Sequence, residues 1–264
     1  MDIDMEMPTN YELAQSCEIA LERVIGDLVP IKSNDDASSD IAARIRLNGI
    51  HKESKVAGAK WGAKDRYATI SVLLAKPQIK RELDAVFSFA GVMRQDKIIP
   101  PVVTEVNGSV ELANDRQSAA TTKRSWRIIK PARITTGNLT WRSYINLSFA
   151  ADAPIPSISG FYAPRDKSER KAWHYGFCDG YRVGVQQANN VFMRQISDLK
   201  RDYLGMWRFR QLEEQGIVSS PIIVEERLGT LVDDDFVLID KRDVRITEPT
   251  RFRKERDWTA DQIK

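Results

Sequence analysis

Cysteine and histidine are the residues this sequence has least of: two of each in 264. Cys17 and Cys178 are too few for a disulfide framework, a cysteine-rich zinc site or an iron–sulfur cluster. His51 and His174 leave few routes to histidine-based catalysis. Long apolar runs are also missing. Stretches such as Ile70–Ala75 fall far short of the roughly 18–20 residues a spanning helix needs. A strong charge of one sign is absent too: the net charge is +3 and the pI is about 8.8, short of the clustered excess of a dedicated nucleic-acid binder. The first residues carry Asp2, Asp4, Glu6 and Glu12, with no Lys or Arg before Arg23 and no apolar run, so no secretory signal is expected. Leu13-Ala-Gln-Ser-Cys17 resembles a lipoprotein cleavage site only faintly, and an amphipathic turn is the simpler reading.

With 42% hydrophobic and 29% charged residues, the chain has the composition of a folded protein with a real core. Residues 1–39 read as a flexible lead-in, with one short helix carried by Leu13, Ile19, Leu21, Val24 and Leu28 and then a polar linker over 33–39. A helix is expected from Asp40, with Val56, Ala59, Ala63, Tyr67, Ile70 and Leu74 on its apolar face. Gly49, Gly58 and Gly62 weaken it, and mark either the close packing of a second backbone, the reading preferred for Gly58 and Gly62 because they are set among alanines, or a frayed, mobile helix. Pro77 ends or kinks this helix, and Ile79, Leu83, Val86, Phe87 and Ala90 mark another. Asn107-Gly108 between Val102–Val106 and Ser109–Leu112 is a strong hairpin signal, and Ser125–Lys130 reads as a further strand.

Residues 131–165 hold four prolines and no sustained period, an uncommonly long irregular connection. Its aromatics, Trp141, Tyr144, Phe149, Phe161 and Tyr162, either pin the connection to the core or face a partner protein. We take Trp141, Tyr144, Phe161 and Tyr162 as candidate interface residues.

The clearest element is a helix over 166–214. Asp166-Lys-Ser-Glu169 has capping-box spacing, and Trp173, Phe177, Tyr181, Val185, Ala188, Phe192, Ile196, Leu199, Tyr203 and Met206 form one stripe. Gly216 stands where a helix-ending glycine belongs. Unbroken, the helix would span roughly 70 Å, so a break near Gly205 is expected. Gly176, Gly180, Gly184 and Ala188 share a face without bulky side chains and are the candidate helix-packing residues. Interleaved Asp179 and Arg182 exclude a membrane setting for that face. Three β-type runs follow, Ile222–Val224, Phe236–Ile239 and Val244–Ile246, with Asp233–Asp235 as a solvated turn. Arg251–Arg256 is a basic stretch, read as a solvated tail on which Trp258 docks back.

Nucleotide-binding, zinc-protease and serine-hydrolase motifs are missing. His174 and Cys178 lie one helical turn apart and can touch, but no oxyanion donor or third residue completes a nucleophilic site. No catalytic, metal or cofactor-binding residue is assigned, and the chain is not expected to be an enzyme.

Several runs, in order, resemble one family. They are Ile98–Val103, then Thr135-Thr136 with Trp141–Tyr144, then Trp173 with Gly180–Gly184 and Gln187–Asn189. Leu199–Met206 is the strongest, with Val218–Pro221 and Arg245–Thr247 downstream. The set resembles the DotC family of type IVB secretion systems, called TraI in IncI-type conjugative plasmids, across roughly residues 40–258. The resemblance implies a non-enzymatic structural subunit of a periplasmic, outer-membrane-associated core complex, in a ring with copies of itself and with DotD-like and DotH-like proteins. The N-terminus departs from the family's lipoprotein pattern. The chain is thus expected to be α+β: N-terminal helices, a mixed β region, one long glycine-faced helix and a C-terminal β segment. The expected organisation is a lead-in over 1–39, one domain over 40–258 and a tail over 259–264. The rival reading is a cytoplasmic, basic nucleic-acid-binding accessory protein of plasmid transfer. Its affinity would fall steeply with salt.

Overall fold

The computed structural model describes residues 8–26, 40–93, 98–112, 119–147, 160–232 and 235–258. The chain is α+β. Its helices are α1 (Asn10–Gly26), α2 (Asp40–Ala75), α3 (Pro77–Val86) and α4 (Lys167–Glu214). Its strands are β1 (Ile98–Ile99), β2 (Val102–Leu112), β3 (Ala119–Lys130), β4 (Arg133–Ile134), β5 (Ile222–Val232) and β6 (Val237–Glu248). They pair as three two-stranded antiparallel sheets, β1 with β4, β2 with β3 and β5 with β6. Two compact units result: Met1–Lys80 with Ile145–Arg194, and Arg81–Tyr144 with Gln195–Lys264. The tail over 259–264, the Asp233-Asp234 part of the acidic turn, Leu28 and the 33–39 linker lie outside the described residues, as does Phe149.

In the first unit, α1 is a docked helix, so the compact part of the chain begins well before residue 40. Thr9 and Glu12 form a capping box: the Glu12 N–H donates to Thr9 Oγ1 (3.3 Å) and the Thr9 N–H donates to Glu12 Oε2 (2.8 Å). These bonds hold the Glu12 carboxyl below the usual carboxylate range. Cys17, Ala20, Leu21 and Val24 are buried in one cluster with Ile50, Ala57, Trp173, Phe177, Tyr181 and Val185. The buried face of α2 includes Ile70 and Leu74 of the expected stripe and departs from it in the first half of the helix. Val56 is exposed, while Ile50, Ser54, Ala57, Gly58 and Gly62 are buried. Hydrophobic spacing weights large side chains, whereas the stretch from Ser54 to Gly62 that meets α4 is buried through small ones.

The reason is the backbone-to-backbone seam between α2 and α4. A Cβ placed at Gly176 would strike Ser54 Oγ and the His51 carbonyl. At Gly180 it would strike the Lys55 carbonyl, and at Gly184 the Ala59 carbonyl. From the other side, Gly58 faces the Phe177 carbonyl and Gly62 the Tyr181 carbonyl. Polar pairs flank the seam. Lys55 Nζ lies 2.6 Å from Asp179, the Tyr181 hydroxyl donates to Asp65 (2.5 Å), and Arg66 Nε donates to Asn189 (2.7 Å). Burial, then the Asp65 carboxylate, raises the pKa of the Tyr181 hydroxyl, which keeps it a donor.

In both units α4 is regular, with no break at Gly205. In the second unit the β2 backbone crosses the helix at that residue: a Cβ on Gly205 would meet the Val102 side chain and lie 3.1 Å from the Val103 carbonyl. The glycine marks a close approach, not a kink. Every residue of the expected α4 stripe is buried except Tyr203, which is half-buried. Asp166 caps the helix through the Glu169 N–H (2.8 Å), but Glu169 reaches back to the Arg165 N–H (2.8 Å), one residue earlier than a capping box requires. Its carboxylate is drawn there because Arg46 of α2 also binds it, Nε to Oε1 at 2.6 Å. At the other end Gly216 has φ +70°. Its N–H donates to the Glu213 carbonyl, and the Ile217 N–H donates to the Leu212 carbonyl. That is a Schellman motif, closed by Leu212 and Ile217 in one apolar cluster.

The Asn107-Gly108 hairpin does not form. Both residues lie inside β2, which pairs along its length with β3, Val106 opposite Ser125 and Ser109 opposite Thr122. Gly108 keeps its positive φ (+64°) within the strand. The longer ladder with β3 outcompetes a hairpin of four- and five-residue arms, because each added pair brings further backbone bonds and cross-strand contacts. The three C-terminal β runs are likewise two long strands: Val244–Ile246 continues β6 and pairs with Ile223–Glu225.

Gly180→Ala would gain about 1 kcal/mol of helix propensity. It would also force a methyl onto the Lys55 carbonyl. Rigid overpacking of this kind costs about 1–3 kcal/mol or more. We expect a net loss of unfolding free energy by denaturant titration. Gly137→Ala, at an open position, should stay within about 0.5 kcal/mol of wild type.

Candidate interaction site

Candidate helix-packing residues Gly176, Gly180 and Gly184 all lie against α2 within the chain, and Ala188 is fully buried. That small-residue surface is occupied internally and is not offered to a partner.

The four candidate interface aromatics divide between the units. In the first, Phe161 is exposed at 46%, with the Arg46 guanidinium 5.5 Å from its ring centroid. Tyr162 is half-buried and packs over Gly49, while its carbonyl accepts the Trp173 indole N–H (2.7 Å). Arg46 gathers this corner. It donates to the Phe161 carbonyl (2.8 Å), the Ala163 carbonyl (3.3 Å) and both Glu169 oxygens. In the second unit Trp141 is buried and its indole N–H donates to Asp84 (2.7 Å). It belongs to the core of this chain rather than to an exposed contact surface, because the polar tip of the ring already has an internal partner. Tyr144 is half-buried and stacks on Phe89. Burial, then the Asp202 charge, raises the pKa of its hydroxyl. Asp202 is fully buried and compensated by Lys130 Nζ (2.5 Å) and Arg201 Nη2 (2.9 Å). Phe161 is thus the one of the four that presents an exposed ring.

Exposed apolar surface appears instead on the β5–β6 ribbon, which hydrophobic spacing did not single out. Ile222, Val224, Phe236, Val237 and Ile239 are exposed, Ile239 at 79%, and no described side chain of either strand is buried. A two-stranded ribbon with no buried side chain among its described residues is marginal alone, and with only each other as partners the strands offer unpaired edges. Beside it, Ile223 and Glu225 help line a cleft of about 320 Å³ with Pro100, Pro101, Phe209 and Pro221. The basic stretch is not a free tail. The Arg253 N–H donates to the Ile217 carbonyl (2.8 Å), the Ser219 N–H donates to the Arg251 carbonyl (2.9 Å), and Trp258 packs on the apolar cluster at the end of α4. Its backbone is tied to the residues that follow the Schellman turn.

The cysteines are bonded to each other. Cys17 of α1 and Cys178 of α4 form a disulfide across 161 residues. Cys178 therefore has no thiol to act as a nucleophile beside His174, and Cys17 has none for a lipid thioether. The His174 ring reaches Glu18 of α1 instead (2.5 Å). Sequence separation hides this pairing. It becomes legible only once α1 lies against α4.

These observations define an α+β protein organised on a glycine seam, with α1 stapled to the helix that carries it. The family model for type IV secretory system, conjugal DNA-protein transfer, the TraI family, matches residues 44–260. The chain belongs to this family and is a component of a type IV secretion and conjugal transfer system. No curated protein matches the chain. No described helix is long and apolar enough to cross a membrane.

Two perturbations test this framework. Removing the disulfide by Cys17→Ser with Cys178→Ser should lower the unfolding free energy by about 2–5 kcal/mol, read as a shift in denaturant midpoint that reductant reproduces in wild type. Arg46→Ala removes the charged partner of the Glu169 carboxylate, whose side chain is 10% exposed, and leaves it the Arg165 N–H. It should cost about 3–5 kcal/mol in the same titration.

Proposed function

We propose that the chain is a structural subunit of the outer-membrane core complex of its secretion system. It acts by protein–protein contact on the periplasmic side and has no catalytic role. Copies of the chain and DotD-like and DotH-like proteins are its partners. The observation that carries this reading is the β5–β6 ribbon: exposed apolar side chains on strands with open edges suit burial in an assembly. The Cys17–Cys178 bridge supports the compartment, because disulfides persist in oxidising spaces and are rare in the cytosol. The same bridge argues against the cytoplasmic nucleic-acid-binding alternative. The backbone of Arg251–Arg253 is docked onto Ile217 and Ser219, while its basic side chains stay exposed.

The test is capture of DotD-like and DotH-like partners by a tagged chain from detergent extracts of conjugating cells. Replacing Ile222, Val224, Val237 and Ile239 by threonine keeps strand propensity and removes apolar surface. The variant should fold with an unchanged circular dichroism spectrum and lose at least tenfold in partner recovery. Wild-type chain that recovers neither partner and sediments as a monomer would refute the proposal.

A further inference from the structure

The disulfide occupies two of four donor groups that meet at one place. The Glu18 carboxylate, the His174 imidazole and the Cys178 sulfur each offer a ligand atom, and these atoms lie within 4.8 Å of one another. Cys17, next to Glu18, adds a second sulfur bonded directly to that of Cys178. The four come from two helices, an adjacent pair on α1 and an i, i+4 pair on α4, whose side chains share one face. Apolar packing beside the bond joins the same two helices: Ala20, Leu21 and Val24 of α1 lie in one cluster with Trp173 and Phe177 of α4. Cys17 is 1% exposed, Cys178 and His174 are half-buried and Glu18 is exposed, so the set is closed at Cys17 and open to an entering ion on the carboxylate side.

We propose that the reduced chain binds one zinc-type divalent cation through Cys17, Cys178, His174 and Glu18. Disulfide and metal are then alternative closures of the same α1–α4 junction. Two thiolates, an imidazole and a carboxylate suit a borderline-soft ion and disfavour calcium or magnesium, which take oxygen donors. The chemistry balances as follows. A dithiol reductant donates two electrons and two protons to the Sγ–Sγ bond and becomes a disulfide, leaving thiols at Cys17 and Cys178. As the cation binds, both thiols lose their protons to solvent, and His174 turns from Glu18 to bind as neutral imidazole.

The experiment uses the full chain, reduced with a phosphine, with cobalt(II) as the spectroscopic probe. One equivalent should bind, giving thiolate-to-cobalt charge-transfer absorption and the visible bands of a four-coordinate site. Both signals should vanish when zinc is added or the chain is reoxidised. His174→Gln keeps both cysteines and folds with the bridge formed. After reduction it should bind cobalt more weakly by more than the roughly 10–100-fold that losing an outer-shell partner costs. Glu18→Gln should also weaken binding. If the reduced chain loses helix content, recovery of that content on adding zinc supports the proposal, and failure to recover overturns it. No charge-transfer band with both thiols free, or wild-type affinity in His174→Gln, also overturns it.

Discussion

The approach of two helix backbones, α2 and α4, is the constraint on which the first unit depends. Five glycines, Gly58 and Gly62 on one side and Gly176, Gly180 and Gly184 on the other, replace side chains with carbonyl contacts. Each glycine weakens its helix by about 1 kcal/mol relative to alanine. Dispersion between the closely packed backbones along the seam offsets that loss, and it does not survive the insertion of a methyl group. With the backbones this close, the large residues of α4, Trp173, Phe177 and Tyr181, turn to one side and build the cluster on which α1 lies. Arg46 then ties the residues before α4 to α2, and the Cys17–Cys178 bond fixes α1 in place. A related device recurs in the second unit, where Gly205 admits the β2 backbone against α4.

Much of this was legible in the sequence. The α4 stripe follows from a 3.6-residue period, and the end at Gly216 follows from the chemistry of a left-handed turn. Both signals are local, and nothing tertiary opposes them. Gly58, Gly62 and the three α4 glycines announced close packing, though sequence cannot name the backbone that approaches. Where reading failed, a longer-range term won. Asn107-Gly108 satisfies the requirements of a hairpin turn, yet the extended β2–β3 ladder absorbs it. Val56 has the right spacing for a core position, yet α2 turns its small residues inward and leaves Val56 exposed. The disulfide needs the fold first, because two cysteines far apart in sequence carry no pairing information. The surface of Ile222, Val224, Val237 and Ile239 was masked because exposed strands and buried ones share the same residue types.

The proposed contact role draws these features together. Small residues are used inside the chain, and so is Trp141, whereas the β5–β6 ribbon and Phe161 are part of the apolar surface exposed among the described residues. The basic residues of 251–256 do not form a free arm, since the backbone at Arg251 and Arg253 is bonded to the end of α4. The family match begins at residue 44, so Cys17 lies outside it while Cys178 lies within it. The bridge therefore joins a segment outside the matched region to its longest helix.

The most direct test of the account is the state of Cys17 and Cys178 in living cells that carry an active transfer system. Rapid alkylation of free thiols, followed by reduction and a second, heavier alkylating label, separates bonded from free cysteines by mass. The account predicts that both cysteines of the full-length chain carry the second label and co-fractionate with the outer membrane. Two freely alkylated thiols in a chain recovered from the cytosol would contradict it.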